Sequence, residues 1–401
     1  MLIVKKFGGS SVADKERIYN VAGRCIEDYQ KGHDVVMVLS AMGKTTDALI
    51  EQAKEINPNP KKRELDMLLA TGEQISVSLM AMALEALGVP CVSLNAFQVK
   101  MHTTSAYGNA RFKRIDTQRI RHELESRKIV IVTGFQGVNK YDDITTLGRG
   151  GSDTTAVALA AALKADACEI YTDVDGVYTE DPRVVPNAKK LKEITYDEML
   201  ELATLGAKVL HNRSVEMAKK YGVQLVVRSS LNTAEGTIVK EEVDVESMLI
   251  SGVAVDKNTA RIAVIGVKDI PGTAFKIFDL LGKKNINVDI IIQSIGRDNT
   301  KDISFTVARD DMMEVVDILE KNKSRITAQS IRYDDTIAKV SVVGAGLESN
   351  PGVAAKMFEA IYNAGINIRM IATSEIRVTV LLDEADAEAA MRAVHERFIE
   401  Y

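Results

Sequence analysis

The sequence predicts an α/β protein in which a largely parallel sheet, with helices on both faces, is followed by two small α+β domains. Through the first 230 residues, short apolar segments alternate with segments of helical periodicity. Near-continuous apolarity indicates strands that are covered on both faces, and alternation of strand and helix favours a parallel sheet. Beyond residue 257, one pattern of about 80 residues occurs twice. A repeat of this length indicates one small domain present in duplicate rather than a solenoid.

Five apolar segments, several of them rich in valine and isoleucine, are predicted as strands of the sheet: residues 2–6, 35–39, 129–133, 168–172 and 225–228. Between them, the spacing of apolar residues predicts helices over 18–29 and 65–82, and an alanine-rich segment predicts another over 152–164. After residue 232 a turn-like segment precedes an acidic one. We therefore expect the first domain to cover residues 1–235.

Matching glycine, isoleucine and serine positions define the repeat, because Gly272, Ile286 and Ser294 recur 80 residues later as Gly352, Ile366 and Ser374. The first copy is expected to cover residues 257–335 and the second 336–401. The second copy runs out of chain before its last strand, whereas the strand-like segment 248–256 has no partner in the first copy. We therefore expect 248–256 to complete the sheet of the second copy, where it would pair an otherwise bare edge.

The composition excludes several classes of protein. The 401 residues are 46% hydrophobic and 27% charged, with a formal net charge of −5, so the chain is globular and has no overall attraction to nucleic acid. No apolar run reaches the roughly 18 residues that span a membrane, and the N-terminus lacks a secretory signal pattern. Three widely spaced cysteines, Cys25, Cys91 and Cys168, indicate reduced thiols and a cytoplasmic protein. No metal site is predicted, because the histidines lack ligand spacing.

The turn after the first predicted strand has the character of a phosphate site. Lys6 is followed by Gly8, Gly9 and Ser10 at the start of a helix. Glycines let the backbone approach an anion closely, and a helix N-terminus supplies free N–H groups and a positive dipole end. A lysine at this place neutralises charge on a transferred phosphoryl group. The alternative is an ordinary turn whose lysines are merely solvated.

Two common nucleotide-binding signatures are absent. Val38 stands where a P-loop ending at Gly43 requires glycine, and Asp153 stands where a dinucleotide fingerprint requires its third glycine. The glycine-rich loop before Asp153 contains Arg149, whose guanidinium is able to grip a carboxylate through two parallel hydrogen bonds. This combination favours an acidic substrate. The alternative for Asp153 is a simple helix cap.

A loop dense in turn-forming residues covers 172–183 and follows a predicted strand. Asp173 and Asp175 lie in it, but their spacing does not match an EF-hand. A loop that contacts the base and ribose of a nucleotide is the functional interpretation, and an ordinary surface loop is the alternative.

Taken together, these blocks resemble the aspartate kinases of the amino acid kinase family. The motifs at 6–11, 39–43, 69–73, 146–153, 172–178 and 206–210 follow in the order of that family. The repeated C-terminal domains resemble ACT domains, which commonly bind amino acids as feedback signals. The resemblance extends over essentially the whole chain. It implies an amino acid kinase-like sheet followed by two ferredoxin-like ACT domains.

The resemblance also implies an activity. The enzyme would use ATP and Mg²⁺ to phosphorylate the side-chain carboxylate of L-aspartate, giving 4-phospho-L-aspartate, the first step toward lysine, threonine and methionine. A carboxylate is already a nucleophile at neutral pH, so the site must supply positioning and positive charge rather than a strong base. Mg²⁺ would be held mainly by phosphate oxygens and water, without an assigned protein ligand.

Site residues follow from the resemblance by position. The catalytic residues would be Lys6, Asp153 and Lys208. The nucleotide would contact Lys6, Gly8, Gly9, Ser10, Thr172, Asp173, Tyr178, Arg183 and Lys208. The substrate would contact Ser40, Glu73 and Arg149, with Glu73 holding the amino group and Arg149 the α-carboxylate.

An effector site is implied between the ACT domains, for lysine, threonine or both. Its residues in the first copy would be Asp269, Gly272, Thr273, Ala274, Asn287, Asp289 and Gln293. Those in the second copy would be Asn367, Ser374 and Glu375. Carboxylate and amide side chains suit an ammonium group, whereas the alternative is ordinary turn and strand chemistry. Pairing of ACT domains implies a homodimer or larger homo-oligomer.

Three other functions compete with this interpretation. The first is another kinase of the same family, acting on glutamate, acetylglutamate or a nucleoside monophosphate. The second is a catalytically silent amino-acid sensor. Such a sensor is expected to have lost the charged residues of the phosphoryl site, whereas Lys6, Asp153 and Lys208 are all present. The third, a nicotinamide-dependent dehydrogenase, lacks its glycine fingerprint.

Overall fold

A computed structural model of the protein describes residues 1–207, 209–243, 250–294, 299–347 and 350–399. These residues form two compact units. The first unit comprises Met1–Tyr178, Lys189–Thr204 and Lys208–Asp244, and the second comprises Thr179–Ala188, Leu205–Ala207 and Val245–Tyr401. Two short segments from the N-terminal part of the sequence, Thr179–Ala188 and Leu205–Ala207, therefore group with the C-terminal unit.

The first unit contains two sheets and their covering helices. Its strands are β1 (Leu2–Phe7), β2 (Asp34–Leu39), β3 (Cys91–Leu94), β4 (Met101–Thr103), β5 (Phe112–Ile115), β6 (Ile129–Thr133), β7 (Gln136–Val138), β8 (Ile144–Thr146), β9 (Ala167–Thr172), β10 (Glu193–Thr195), β11 (Leu225–Ser229) and β12 (Thr237–Lys240). Its helices are α1 (Lys15–Gln30), α2 (Thr45–Ile56), α3 (Lys62–Leu69), α4 (Thr71–Ala86), α5 (Gln118–Glu125), α6 (Gly151–Leu163), α7 (Tyr196–Thr204) and α8 (Asn212–Tyr221).

The main sheet has eight strands in the order β10-β12-β11-β9-β1-β2-β6-β3. From β11 to β3 all neighbours are parallel, and the antiparallel pairing of β11 with β12 reverses the last two strands. The central strands are buried along almost their whole length, which explains their valine- and isoleucine-rich sequences. The five predicted strands and the largely parallel sheet are confirmed. A smaller sheet has four strands in the order β5-β4-β7-β8.

Helices α3 and α4 follow one another with a single residue, Ala70, between them. The 25-residue stretch Lys62–Ala86 is long and apolar enough to cross a membrane by length and composition alone. Half of its most apolar window is buried inside the protein, as for the core helix of a globular fold. Asp66 and Glu73 are among its buried residues, so this stretch carries two carboxyl groups into the interior of the first unit.

The second unit contains two four-stranded antiparallel sheets. Its strands are β13 (Gly252–Asp256), β14 (Ala260–Lys268), β15 (Ile291–Gln293), β16 (Thr300–Val307), β17 (Ser330–Asp334), β18 (Ile337–Val343), β19 (Met370–Ser374) and β20 (Arg377–Asp383). Its helices are α9 (Thr273–Gly282), α10 (Met312–Lys321), α11 (Val353–Asn363) and α12 (Ala387–Phe398).

The strand orders of the two sheets correspond one to one. The first is β15-β16-β14-β17 and the second is β19-β20-β18-β13. Strand β13 therefore holds, in the second sheet, the place that β17 holds in the first, and it pairs antiparallel with β18 from Gly252 opposite Val343 to Asp256 opposite Lys339. Met248 and Leu249, the first residues of the segment expected there, lie outside the described residues.

Candidate functional site

The loops after three adjacent strands, β1, β2 and β9, meet at the carboxyl edge of the main sheet. Such an edge is where open α/β sheets bind ligands. The loop after β1 lies against the loop after β2, because the Gly43 amide donates to the Gly9 carbonyl at 2.9 Å. A β-carbon on Gly9 would lie 2.7 Å from the Ala41 carbonyl oxygen, so only glycine allows this approach. The two loops thus form one backbone-lined cradle.

Lys6 and Asp153 form an ion pair at the edge of this cradle. The Lys6 Nζ lies 2.6 Å from the Asp153 Oδ1, and each side chain is 12% exposed. Lys6 is on β1, whereas Asp153 is the third residue of α6, where the positive end of the helix dipole stabilises a carboxylate. The structure therefore brings together two of the predicted catalytic residues, 147 positions apart in the sequence. The third, Lys208, lies outside the described residues.

The start of α6 is fixed by close packing on both sides. A β-carbon on Gly134, just after β6, would lie 2.6 Å from the Ser152 Oγ. Gly150 adopts a φ of +66°, and a β-carbon there would overlap the His211 ring. His211 caps α8, where its Nδ1 accepts from the Arg213 amide at 3.3 Å. Burial lowers the pKa of His211, and the Asp153 charge opposes that effect.

Glu73 lies under the loop after β2, in the first turn of α4. It is 2% exposed, and its Oε1 accepts a hydrogen bond from the Ala41 amide at 3.1 Å. Its Oε2 is buried without a hydrogen-bond partner. Burial raises the pKa of Glu73 to about 8, against the weaker effect of the Ala41 amide. A buried, half-satisfied carboxyl group at a ligand-binding edge is typical of a functional position.

Arg149 lies in the loop between β8 and α6, and its side chain is exposed. Two residues that the sequence analysis did not identify hold this loop. Asp66 accepts from the Thr146 amide and hydroxyl at 2.9 and 2.7 Å, and Arg213 donates to the Leu147 carbonyl at 2.7 Å. These partners are 80 and 66 positions apart in the sequence, so no local pattern could have revealed them.

The predicted nucleotide residues divide between the two units. Thr172 ends β9 and donates to the Asp173 carboxylate at 3.0 Å. The Tyr178 hydroxyl donates to Asp175 at 2.7 Å, and burial together with this hydrogen bond raises the pKa of Tyr178 to about 12. Arg183 belongs to the segment that groups with the second unit, where its guanidinium pairs with Asp181 at 2.7 Å and its side chain is 80% exposed.

The predicted effector residues of the first repeat lie in two regions, the turn from β14 into the start of α9 and the segment from Asn287 to the end of β15 at Gln293. Gly272, with a φ of +89°, precedes α9, and the Thr273 hydroxyl donates to the Lys268 carbonyl at 2.9 Å. Asp269 pairs with Lys301 at 2.8 Å. Ala274, Asn287 and Gln293 are exposed, as are Asn367, Ser374 and Glu375 of the second repeat.

Asp289 differs from the other predicted effector residues because a cation of the second repeat already contacts it. The Lys339 Nζ lies 2.6 Å from the Asp289 carboxylate, and Arg377 lies 3.9 Å away. Lys339 is on β18 and is itself buried. Any ligand ammonium that binds Asp289 would therefore compete with Lys339.

Metal-ligating side chains do not cluster in the part of the chain that the structure describes. No group of three histidine, cysteine, aspartate or glutamate residues there is placed to hold a metal ion. Asp153, the carboxylate at the cradle, is paired with Lys6. The described residues therefore fit a metal ion that arrives bound to phosphate better than one held in a protein cage.

Comparison with known proteins gives consistent matches along the whole chain. Residues 1–229 match the amino acid kinase family, and residues 262–322 and 340–398 match the ACT domain. An aspartokinase of Bacillus sp. (strain MGA3) is 52% identical over 398 residues, which are 99% of this chain and 97% of that relative. The structure of E. coli aspartokinase III in complex with aspartate and ADP is 26% identical, with a TM-score of 0.86 and full coverage of both chains. The same enzyme in complex with lysine and aspartate is 27% identical, with a TM-score of 0.77 and full coverage of both chains.

Proposed function

The chain belongs to the aspartokinases of the amino acid kinase family, and from that premise we propose that it phosphorylates the side-chain carboxylate of L-aspartate with ATP. The observation that carries this proposal is the Lys6–Asp153 ion pair beside the cradle of Gly9 and Gly43. A cation at a backbone-lined anion site suits phosphoryl transfer. Aspartate and ADP are the ligands of the E. coli relative with the same fold.

In the proposed reaction, a side-chain carboxylate oxygen of aspartate attacks the γ-phosphorus of ATP, and the bond to the β,γ-bridging oxygen of ADP breaks. Gly8, Gly9 and Ser10 line the phosphates, and Lys6 neutralises charge that builds up on the transferred group. Asp153 holds the Lys6 ammonium in place at 2.6 Å. Lys208 is proposed as a further cation beside the nucleotide.

The substrate is proposed to bind between three side chains. Glu73 receives the α-amino group, Arg149 grips the α-carboxylate, and Ser40 contacts the reacting end. The nucleotide is proposed to contact Thr172, Asp173, Tyr178 and Arg183. Mg²⁺ is proposed to arrive with ATP and to keep phosphate oxygens and water as its ligands, because the described residues offer no carboxylate cluster.

Regulation is proposed to reside in the second unit. Lysine is a ligand of the E. coli relative, and we propose lysine, threonine or both as effectors here. The proposed effector residues are those named above: Asp269, Gly272, Thr273, Ala274, Asn287, Asp289, Gln293, Asn367, Ser374 and Glu375. Allosteric inhibition requires that the effector bind one state of the enzyme more tightly than another.

The domain limits and the assembly are also proposals. The catalytic domain is assigned to residues 1–235 and the ACT domains to 257–335 and 336–401, with 248–256 completing the second sheet. A cytoplasmic homodimer or larger homo-oligomer, paired through the ACT domains, is proposed. Sedimentation velocity with and without effector tests the assembly.

The proposed activity is tested by ADP release with L-aspartate and Mg-ATP, with and without lysine and threonine. Aspartate-dependent turnover that an added amino acid suppresses supports both halves of the proposal. Turnover with glutamate or acetylglutamate in place of aspartate would indicate another kinase of the same family. Folded protein without turnover on any of the three substrates would favour the catalytically silent amino-acid sensor.

The pH dependence of aspartate binding is expected to follow Glu73. Because burial raises its pKa to about 8, Glu73 is neutral in the free protein near pH 7 and ionises as the pH rises. An ammonium group binds the ionised form, so the KM for aspartate is expected to fall roughly tenfold from pH 7 to pH 9. Glu73→Gln is expected to raise this KM and to remove its pH dependence. A wild-type KM for aspartate that stays constant across this range would contradict the assignment.

Gly9→Ala is expected to lower kcat/KM at least about 100-fold, because the new β-carbon pushes the two halves of the cradle apart. The matched control is Gly23→Ala in α1, where a β-carbon meets nothing within 4 Å. That control is expected to keep full activity and to gain about 0.5–1 kcal/mol of stability. Steady-state kinetics and urea unfolding of the two variants give the comparison. Equal activities would show that the cradle tolerates a side chain.

A further inference from the structure

One buried carboxylate links the helix of Glu73 to the loop of Arg149. Asp66 is the fifth of the eight residues of α3, the helix that precedes α4, and it is 1% exposed. Its Oδ2 accepts from the Gly108 and Thr146 amides, both at 2.9 Å, and its Oδ1 accepts from the Thr146 hydroxyl at 2.7 Å. Two of the three donors are groups of Thr146, at the end of the strand that leads to Arg149. The third is the amide of Gly108, whose carbonyl oxygen would lie 3.1 Å from a β-carbon on Gly148.

The spacing on both sides of this link is short. Asp66 and Glu73 are seven residues apart on a nearly continuous helix, which is about 10 Å along the axis. Thr146 ends β8 and is only three residues before Arg149. The link is also rigid, because the carboxylate is buried and fully engaged and because Gln136 donates to the Ala70 carbonyl at 3.0 Å between α3 and α4.

A second side chain holds the same loop from α8. Arg213 donates to the Leu147 carbonyl at 2.7 Å and to the Ala110 carbonyl. The Ala110 amide in turn donates to the Thr146 carbonyl at 2.9 Å. The segments around Gly108 and Thr146 are thus fastened to each other and to both helices, whereas the Arg149 side chain is exposed to solvent.

We propose that Asp66 is a positioning residue for substrate binding, which sets the placement of Arg149 relative to Glu73. This inference rests on the proposed function, in which these two side chains hold the α-carboxylate and the α-amino group of aspartate. Both groups are attached to one carbon of the substrate, so a small displacement of either partner prevents simultaneous contact. The hydrogen bonds of Asp66 go to Gly108 and Thr146 and not to the loops after β1 and β2 that form the cradle.

The test compares the KM for aspartate with the KM for ATP in three variants. Asp66→Ala is expected to raise the KM for aspartate about 30-fold and to change the KM for ATP less than about threefold. Asp66→Asn is the matched control. The asparagine Oδ1 is able to accept hydrogen bonds from both amides, and the asparagine Nδ2 is able to donate one to the Thr146 hydroxyl. We expect Asp66→Asn to stay within about threefold of wild type. Loss of function in Asp66→Asn would indicate a role for the charge instead and would overturn the proposal.

A double-mutant cycle tests whether Asp66 acts through Arg149. In the Arg149→Ala background, Asp66→Ala is expected to add less than about threefold to the KM for aspartate, because the group that it positions is gone. Independent, multiplicative effects would overturn the proposal. If Asp66→Ala does not fold, as judged by thermal unfolding, Thr146→Val removes only the hydroxyl bond. That variant is expected to raise the KM for aspartate about fourfold with the KM for ATP unchanged, and an unchanged KM for aspartate would overturn the proposal.

Separate results would refute the proposed kinase activity and the positioning role of Asp66. Wild-type protein without aspartate-dependent ADP release would refute the proposed function itself. Active wild-type protein in which Asp66→Ala raises both KM values equally would keep the kinase and refute only the positioning role of Asp66.

Discussion

Replacing Lys6 with methionine is expected to lower kcat about 100- to 1,000-fold, the usual effect of removing one group that stabilises transition-state charge. Lys6 is the cation that the structure places at the cradle, 2.6 Å from Asp153. Methionine fills nearly the same volume, so the loss would come from the charge and not from packing. Steady-state ADP release at saturating aspartate and ATP measures the effect.

The fold of Lys6→Met is expected to remain intact. Without Lys6, the Asp153 carboxylate still lies in the first turn of α6, where the helix dipole stabilises it. Because the Asp153 side chain is only 12% exposed, loss of its cation is expected to lower the melting temperature without unfolding the protein at the assay temperature. Circular dichroism at that temperature separates this variant from a folding defect. Lys6→Arg is the charge-preserving control and is expected to recover only part of the activity, since a planar guanidinium cannot replace a compact ammonium. A kcat of Lys6→Met within threefold of wild type would contradict a catalytic role.

The main sheet could be predicted because its central strands are buried on both faces. Strands β2 and β6 are almost entirely apolar, and β1, β9 and β11 are mostly apolar, which is a strong signal of a buried strand. The smaller sheet left no such signal. Its strands have three or four residues each and include polar, exposed segments such as Phe112–Ile115. Pairing with neighbours, not local sequence, stabilises them.

The candidate site was predictable only in part. Glycines and charged residues beside strand ends indicated the cradle, because their backbone and charge requirements are local. Asp66 and Arg213 were missed because they act on main-chain groups at least 42 positions away. The pairing of Asp289 with Lys339 was equally invisible, since it joins two repeats that the sequence presents as separate domains.

Lys5 has no predicted role, although it stands next to Lys6 on β1. Successive side chains of a strand point to opposite faces of the sheet. Lys6 contacts α6, whereas Lys5 is 2% exposed and contacts Asp28 on α1 and Glu169 on β9. Burial favours the neutral amine of Lys5, but the acidic groups around it outweigh burial and raise its pKa. Lys5 is therefore a charged residue of the core.

Lys5→Met is expected to lower the free energy of unfolding by about 3 kcal/mol, because it removes the buried cation that Asp28 and Glu169 share. Asp28 then keeps Lys31 at 3.5 Å as its cation, and Glu169 keeps Arg228 at 3.4 Å. Urea unfolding at pH 7 measures the loss. Neutralising both carboxylates in the same chain, with Asp28→Asn and Glu169→Gln, is expected to restore at least half of it. The kcat of Lys5→Met should stay within about threefold of wild type, since Lys5 contacts Asp28 on α1 whereas Lys6 contacts Asp153 on α6, at the opposite face of the sheet. Lys5→Met and Lys6→Met thus form complementary controls. Lys5→Met should lose stability with little change in kcat, whereas Lys6→Met should lose kcat while it stays folded at the assay temperature. A Lys5→Met variant as stable as wild type would show that the buried charges are dispensable, and one as inactive as Lys6→Met would place Lys5 in the catalytic site.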